Sequence, residues 1–130
     1  MREIKFRGKT TKGKWMYGDF IHQDKFNYAM IKQDNYTACV DEDTVGQYTD
    51  LKDKKGAEIY EGDIVKDYFY EKTAEIVYFE GAFWLKYESE FMFLGSRHGK
   101  YQPLFDYDNK YVIEVIGNIY DNPELLKESD

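Results

Sequence analysis

Apolar and charged residues alternate at the start of this chain, which predicts a strand over residues 3–7. Turn residues over 8–14 separate it from a second strand predicted over 15–22, so the two are expected to pair as a hairpin with a long loop. Two more strands are predicted over 28–32 and 37–40, the latter from a weaker pattern. The first third of the chain therefore predicts β-structure.

The run from Gly46 to Lys66, GQYTDLKDKKGAEIYEGDIVK, is a dense cluster of turn residues. Residues 53–56 and 61–63 are predicted to form two tight turns, the first ending in a residue with positive φ. Between them, residues 57–60 leave room for one short strand. In the second turn the glycine is expected to supply backbone freedom and the aspartate to cap the turn, a structural role that we favour over a binding groove beside it.

An antiparallel meander is predicted after these turns, with strands over 64–70, 74–79 and 82–87. Glu80 and Gly81 are typical of a two-residue hairpin between the last two of these strands. The meander is the clearest structural prediction from the sequence.

The chain continues into a long apolar strand predicted over 111–119, in which Gly117 marks a bulge or a close approach. Asn122 and Pro123 then suit the start of a short helix, because asparagine caps helices and proline fits their first position. The elements together predict a mainly β fold: a small antiparallel, partly open barrel with SH3-like and meander elements and one short C-terminal helix. Residues 1–130 are expected to form a single domain, within which two β sub-lobes meeting near residue 50 are the alternative to one barrel.

Aromatic residues strengthen the β prediction, since the chain holds thirteen Tyr, nine Phe and two Trp. One cysteine, Cys39, cannot form an intramolecular disulfide, and no apolar run approaches the length of a membrane span. We therefore expect a cytoplasmic protein that has no membrane partner.

The formal net charge of −7 is unevenly distributed. Residues 1–40 carry eight basic and four acidic side chains, whereas residues 41–130 carry ten basic and twenty-one acidic ones. The N-terminal excess defines a basic candidate surface, which comprises Lys5, Arg7, Lys12, Lys14, Trp15 and Tyr17. Such cations can hold phosphates and such rings can stack on bases, as in proteins that bind single-stranded nucleic acid. We favour the alternative of a solvated edge hairpin, because the rest of the chain is so acidic.

Residues with enzymatic chemistry are sparse. Acidic clusters at 41–43 and around 50–53 lack the spacing of a calcium loop, so solvated loop charge is expected there. The sequence holds two histidines, His22 and His98, and Cys39 is expected to be buried or half-buried in a strand. We therefore predict no enzymatic activity, no cofactor and no metal site.

Two segments resemble the YopX-like family of phage and prophage proteins: TDLKDKKGAEIYEGDIVK at 49–66 and EVIGNIYDNPELL at 114–126. The opening MREIKFRG is also similar to the usual start of that family, whereas residues 68–109 match no motif of it. The resemblance implies a small, mostly β protein encoded by phages or prophages. It implies no established activity, so no functional residue is carried across.

A surplus of tyrosines predicts either a contact surface or rings that cover the open face of a sheet. The tyrosines that suggest this include Tyr68, Tyr70, Tyr78, Tyr87, Tyr101, Tyr107 and Tyr111. A small core cannot satisfy all their hydroxyl groups, so some are expected at the surface. The leading hypothesis is a non-enzymatic binding module that acts through a protein partner or through self-association as a homo-oligomer. The alternatives are single-strand nucleic-acid binding by the N-terminal hairpin and acidic mimicry of DNA that blocks a host nucleic-acid enzyme.

Overall fold

The computed structural model describes residues 3–23, 28–87, 101–103 and 112–128. The described strands are β1 Phe6–Lys9, β2 Trp15–Gln23, β3 Tyr28–Gln33, β4 Tyr36–Lys52, β5 Glu58–Tyr60, β6 Asp63–Asp67, β7 Lys72–Phe79, β8 Ala82–Tyr87, β9 Tyr101–Pro103 and β10 Ile113–Asn118, followed by a 3₁₀ helix, Pro123–Glu128. They form two antiparallel sheets, one of them partly ring-like, so the predicted mainly β fold with one short C-terminal helix is confirmed. The chain divides into two compact units, Met1–Asp50 and Leu51–Asp130.

In the first unit, strands β1 to β4 close into a small ring. β1 pairs with β2 along one edge and with β4 along the other. β3 pairs with the second half of β2 and with the first half of β4. The long-loop hairpin is therefore confirmed, although β1 begins at Phe6 and not at residue 3.

β4 is a single strand of 17 residues, where the sequence predicted a short strand followed by turns. Residues 46–52 therefore belong to a strand, although Asp50 within it has a φ of 67°, and their assignment to the turn cluster was wrong. Pairing explains the difference: Gly46 and Gln47 lie opposite β1, whose hydrogen bonds hold this polar sequence in a strand. A register shift in the same pairing accommodates residues 41–43, which stay exposed.

The core of the first unit contains one face of each strand in the ring. Met16, Ala29, Ile31 and Val40 are buried, and Phe6 is among the partly buried residues packed against them. Burying each of the larger side chains stabilises the unit by about 1.5–3 kcal/mol. Of the two apolar residues in the alternating N-terminal pattern, Phe6 therefore packs against this core, whereas Ile4 is 66% exposed.

The second unit contains the predicted meander as part of a five-stranded sheet of order β10-β6-β7-β8-β9. In the tight turn between β7 and β8, Glu80 and Gly81 have φ angles of 50° and 76°, which confirms the two-residue hairpin. β6 ends at Asp67, earlier than predicted, because residues 68–70 form a turn. The core of this unit consists of Ile59, Val65, Ala74, Ile76, Leu85, Tyr87 and Ile113.

Asp53 is a buried carboxylate, 6% exposed, where the sequence predicted solvated charge. Its Oδ1 accepts hydrogen bonds from the backbone N–H groups of Lys55 and Ala57, both at 2.9 Å. Its Oδ2 accepts a third from the N–H of Val115 in β10, at 2.8 Å. The predicted turn over 53–56 is confirmed, and the prediction of solvation was wrong because three backbone donors replace water around this carboxylate.

Asp63 closes the second predicted turn in a similar way. Its Oδ2 accepts the N–H of Tyr60 at 2.7 Å, and the residue is 2% exposed. Gly62 beside it has a φ of 93°, a conformation that glycine adopts at little cost. Both predicted roles are confirmed, so this part of the family motif is turn chemistry.

The β10 strand changes register against β6 between Val115 and Gly117. A Cβ atom on Gly117 would lie 2.6 Å from Oδ1 of Asn122, so the predicted bulge and close approach coincide at this glycine. Asn122 Oδ1 also accepts the N–H of Asn118 at 3.3 Å, which ties the start of the 3₁₀ helix back to the end of β10.

Residues 88–100 and 104–111 lie outside the described part of the chain. Part of the segment without a family motif falls there, together with His98, Tyr107 and Tyr111. The single-domain organisation stays a prediction.

Candidate functional site

The basic candidate surface lies in the first unit, on β1, β2 and their connection. Arg7 lies opposite Tyr17, and Lys9 lies opposite Trp15, in the antiparallel register. Directly opposed residues project to the same face, as does Lys5 two positions before Arg7. The alternation over residues 3–7 therefore predicted that Lys5 and Arg7 share this face, and the pairing of β1 with β2 adds Trp15 and Tyr17 to it.

Cations on this face stack on aromatic rings of the same unit. The guanidinium carbon of Arg7 lies 4.7 Å from the centroid of the Trp15 ring, and Nζ of Lys9 lies 5.8 Å from it. Nζ of Lys5 lies 5.1 Å from the ring centroid of Tyr48. Arg7 is 5% exposed, which leaves little of its side chain accessible to a ligand. Cation–π contacts at such sites stabilise the fold itself.

Lys12, Lys14 and Tyr17 are the accessible part of the candidate surface, whereas Lys5 and Trp15 are half-buried. Tyr17 is 38% exposed. The structure thus separates the six predicted residues into a packed ladder, formed by Lys5, Arg7 and Trp15, and an exposed set of three.

A pocket of about 520 Å³ lies beside this exposed set. It lies between β2 and the β3–β4 turn, and its lining comprises Lys14, Met16, Gln33, Asp34, Asn35 and Tyr36. Met16, 2% exposed, belongs to the core, and Tyr36 is 64% exposed. The pocket therefore combines an apolar side with an ammonium, a carboxylate and two amides.

The β6–β7 turn of the second unit exposes aromatic rings. Phe69 is 71% exposed and Tyr68 is 42% exposed, while Tyr87 is buried. The expectation that part of the tyrosine surplus reaches the surface therefore holds for Tyr68, and for Tyr78, which is 50% exposed. We refer to residues 67–70 as the aromatic turn.

Asp67 holds the aromatic turn in place from below. Its Oδ1 accepts the backbone N–H groups of Phe69 at 2.8 Å and Tyr70 at 3.2 Å. Its Oδ2 accepts the hydroxyl of Tyr87 at 2.6 Å, and the residue is 3% exposed. The rings of Phe69 and Tyr70 meet edge to face, with centroids 4.8 Å apart. The buried Asp67 carboxylate thus fixes the backbone of the turn that carries the exposed phenyl ring of Phe69.

A polar network flanks the aromatic turn. Lys54 Nζ lies 4.4 Å from the centroid of the Tyr68 ring, and the Tyr68 hydroxyl donates to Glu114 Oε1 at 2.9 Å. Lys55 Nζ pairs with Glu114 Oε2 at 3.0 Å. The hydrogen bonds from Lys55 and then Tyr68 lower the pKa of Glu114, and the bond to Glu114 raises the pKa values of Lys55 and Tyr68.

Cys39 is exposed, so the prediction of a buried or half-buried cysteine was wrong. It lies beside Val40 on β4, and it is Val40 that projects into the core. In the described ranges, no group of three or more His, Cys, Asp and Glu side chains is placed to hold a metal ion. A search of the same residues finds no helix with the length and apolar character needed to cross a membrane.

Comparison with known proteins places the chain in a family. The YopX protein family matches residues 4–127 of this sequence. The chain belongs to the YopX family. A crystal structure of protein EF1440 from Enterococcus faecalis is similar to this YopX-family chain, with 26% identity and a TM-score of 0.59 over 97% of this chain and 99% of that one. No curated protein matches this chain.

Sequence reasoning missed the pocket and the role of Asp67. Its signal for the aromatic turn was partial, because Tyr68 and Tyr70 stood among the surplus tyrosines while Phe69 did not. An aspartate two and three residues before the turn's backbone donors is the pattern of an Asx turn, and it could have indicated that β6 ends at Asp67. The pocket depends on where β3 ends against β2, which periodicity does not specify.

Proposed function

We propose that this YopX-family protein is a non-enzymatic binding module that acts by contacting another protein through the aromatic turn. In this proposal it is encoded by a phage or prophage and acts in the cytoplasm of the bacterial host, as the family resemblance implies. The observation that carries the proposal is the exposure of Phe69, at 71%, on a turn fixed by a buried carboxylate.

Preorganisation is what makes an exposed Phe69 useful for binding. A free surface loop loses conformational entropy when it binds, which weakens the complex. Here the N–H groups of residues 69 and 70 are already held by Asp67, and the Tyr87 hydroxyl fixes that carboxylate in turn. Rigid aromatic anchors surrounded by polar groups are the residues that dominate binding energy in protein interfaces.

The polar network beside the turn supports a protein partner of defined orientation. Lys54 lies over the Tyr68 ring, and the Glu114 carboxylate accepts from both Lys55 and Tyr68. Charged groups at the rim of an interface disfavour partners whose own charges are wrongly placed. They contribute more to specificity than to affinity.

Nucleic-acid binding by the N-terminal hairpin receives less support from the geometry. Arg7 is buried against Trp15, and Lys5 lies 3.5 Å from the carboxylate of Glu3. Phosphate binding needs several cations that can exchange their counterions for phosphates. Engaged and buried cations contribute little of that energy, so we place protein contact first.

Affinity capture from host cells, with the full chain as bait, tests this function. The Phe69→Ser variant is compared with wild type and with Ile4→Ser, which removes another apolar side chain that is 66% exposed. We expect the captured amount of a specific set of proteins, or the affinity of a dimer measured by light scattering, to fall roughly thirty-fold with Phe69→Ser. Ile4→Ser should cause no such loss. Unchanged near-ultraviolet circular dichroism would show that the variant is folded.

The proposal is wrong if two results are found together. These are that every captured protein binds the Phe69→Ser variant as well as it binds wild type, and that wild type and variant both have the mass of a monomer in solution. It is equally wrong if Ile4→Ser causes the same losses, because the effect would then follow from general surface hydrophobicity.

A further inference from the structure

We propose that the first unit binds an extended peptide segment by strand addition to the edge of β2, with an apolar side chain of that peptide in the pocket and an acidic side chain on Lys14. This site is separate from the aromatic turn and does not depend on it.

β2 changes partner along its length, which creates the site. Its first half, from Trp15 to Gly18, pairs with β1, and its second half, from Asp19 to Gln23, pairs with β3. The β2–β3 register begins at Asp19 opposite Lys32, close to the end of β3. The edge of β2 at Tyr17 that continues the β3 side therefore borders the pocket.

The side chain of Gln33 already occupies the position of an added strand. Its Oε1 accepts the backbone N–H of Tyr17 at 3.0 Å. In a sheet this N–H would donate to a backbone carbonyl of the neighbouring strand. The amide oxygen of Gln33 has the same acceptor chemistry as a peptide carbonyl, so it substitutes for the ligand in the unbound protein.

The direction of the backbone bonds along β2 is consistent with this site. Thr10 N donates to the carbonyl oxygen of Lys14 at 2.9 Å, so the backbone polar groups of Lys14 point towards the β1 side. Groups alternate between the two edges of a strand. Those of Trp15 and Tyr17 consequently point to the other edge, where Gln33 is bound.

The pocket determines which side chains the peptide presents. Met16 and Lys14 are two residues apart and face the pocket together. A peptide residue beside Met16 projects into the space bounded by Met16 and Tyr36, which favours an apolar side chain. A peptide residue two positions away lies beside Lys14.

Charge selects an acid at the position beside Lys14. Lys12 and Lys14 are both exposed, and residues 1–40 carry a basic excess. Asp34 in the β3–β4 turn lines the same pocket, so it repels an acid placed on the turn side. The ligand class is thus an extended peptide with an apolar residue and an acidic residue two positions apart, a form of recognition known from other sheet edges.

Selection from a library of random dodecapeptides displayed on phage tests the site. The bait is the full chain carrying Phe69→Ser, so that the aromatic turn cannot supply the binders and the two proposals fail independently. Enriched peptides are synthesised, and their dissociation constants are measured by fluorescence anisotropy. Amide NMR spectra then locate the contact. We expect the apolar–acidic spacing among the enriched peptides and the largest shifts at Tyr17 and Gln33.

Three variants are expected to change the peptide affinity in three different ways. Lys14→Glu is expected to weaken binding about tenfold or more, because it replaces a charge-assisted hydrogen bond by repulsion. Lys52→Glu makes the same charge change at an exposed residue that does not line the pocket and should leave affinity unchanged. Gln33→Ala removes the internal competitor for the Tyr17 N–H, so it should tighten binding about three- to fivefold.

Weaker binding by Gln33→Ala would contradict strand addition, since Gln33 would then be a ligand-contacting residue of an ordinary pocket. The proposal is also overturned if no peptide is enriched above a bait-free control, or if Lys14→Glu and Lys52→Glu behave alike.

Discussion

The basic hairpin of the first unit and the aromatic turn of the second unit use similar residue types in opposite ways. In the hairpin, Arg7 packs on Trp15 and is 5% exposed, so the charged group lies inside the fold. In the turn, the charged group is again inside the fold, but the Asp67 carboxylate accepts hydrogen bonds from the backbone of the turn. The Phe69 ring is left 71% exposed.

This difference shows that composition alone does not locate a binding surface. A cation that stacks on a ring keeps both groups packed within the fold. A carboxylate beneath a turn accepts hydrogen bonds from backbone N–H groups, so the side chains of the turn can contact a partner. The surface suggested by charge is therefore partly structural, and the surface suggested only by a tyrosine surplus contains the better-prepared anchor.

The largest expected effect is at Asp67. Asp67→Ala leaves two backbone N–H groups and the Tyr87 hydroxyl without their buried acceptor, so we expect a loss of about 3 kcal/mol in the free energy of unfolding. Tyr87→Phe, which removes one of these donors, should cost about 1 kcal/mol. Urea denaturation measures both. A cost below about 1 kcal/mol for Asp67→Ala would mean that the turn does not rely on this carboxylate.

The matching test of the hairpin is at Trp15. Trp15→Leu removes the ring on which Arg7 stacks, and we expect it to destabilise the fold by about 1–2 kcal/mol. Tyr17→Leu, on the same face of the same strand but 38% exposed, should cost less than about 0.5 kcal/mol. Equal effects of the two changes in urea denaturation would show that the hairpin is not a packed ladder, and the basic candidate surface would regain its functional interpretation.

Sequence reasoning predicted the β-architecture well because it rests on local signals. The Glu80–Gly81 turn, the Gly117 bulge and the Asp63 cap each depend on a few adjacent residues, and all three are confirmed. The sequence predicted only the first part of β4, over 37–40, because its extension depends on pairing with β1, which is distant in sequence. Long-range pairing overrides the local turn preference of that segment.

The candidate sites were harder to predict, since accessibility depends on neighbours from several strands. Alternation over residues 3–7 predicted that Lys5 and Arg7 share a face, but it carried no information on the burial of Arg7. Asp53 was expected to be solvated loop charge and Asp67 lay inside a predicted strand, and only the arrangement of backbone N–H groups around them explains their burial.

The smallest expected effect concerns pH, at the exposed network beside the aromatic turn. The hydrogen bond from Lys55, followed by that from Tyr68, lowers the pKa of Glu114, so the network's contribution to stability is present at neutral pH and is lost as pH falls through that lowered pKa. Lys55 has a raised pKa, mainly through its bond to Glu114, and its contribution is lost instead as pH rises through that value.

Carbon-13 NMR titration of the Glu114 carboxylate measures the acid side of this behaviour. Lys55→Met should move the titration midpoint of Glu114 upward, and Tyr68→Phe should move it upward by less, because the bond from Lys55 is the larger cause. Lys52→Met, which removes a lysine outside the network, serves as the control. An unchanged midpoint in Lys55→Met would show that Lys55 and Glu114 do not pair in solution, and the turn would then keep its buried support from Asp67 while losing its ordered polar rim.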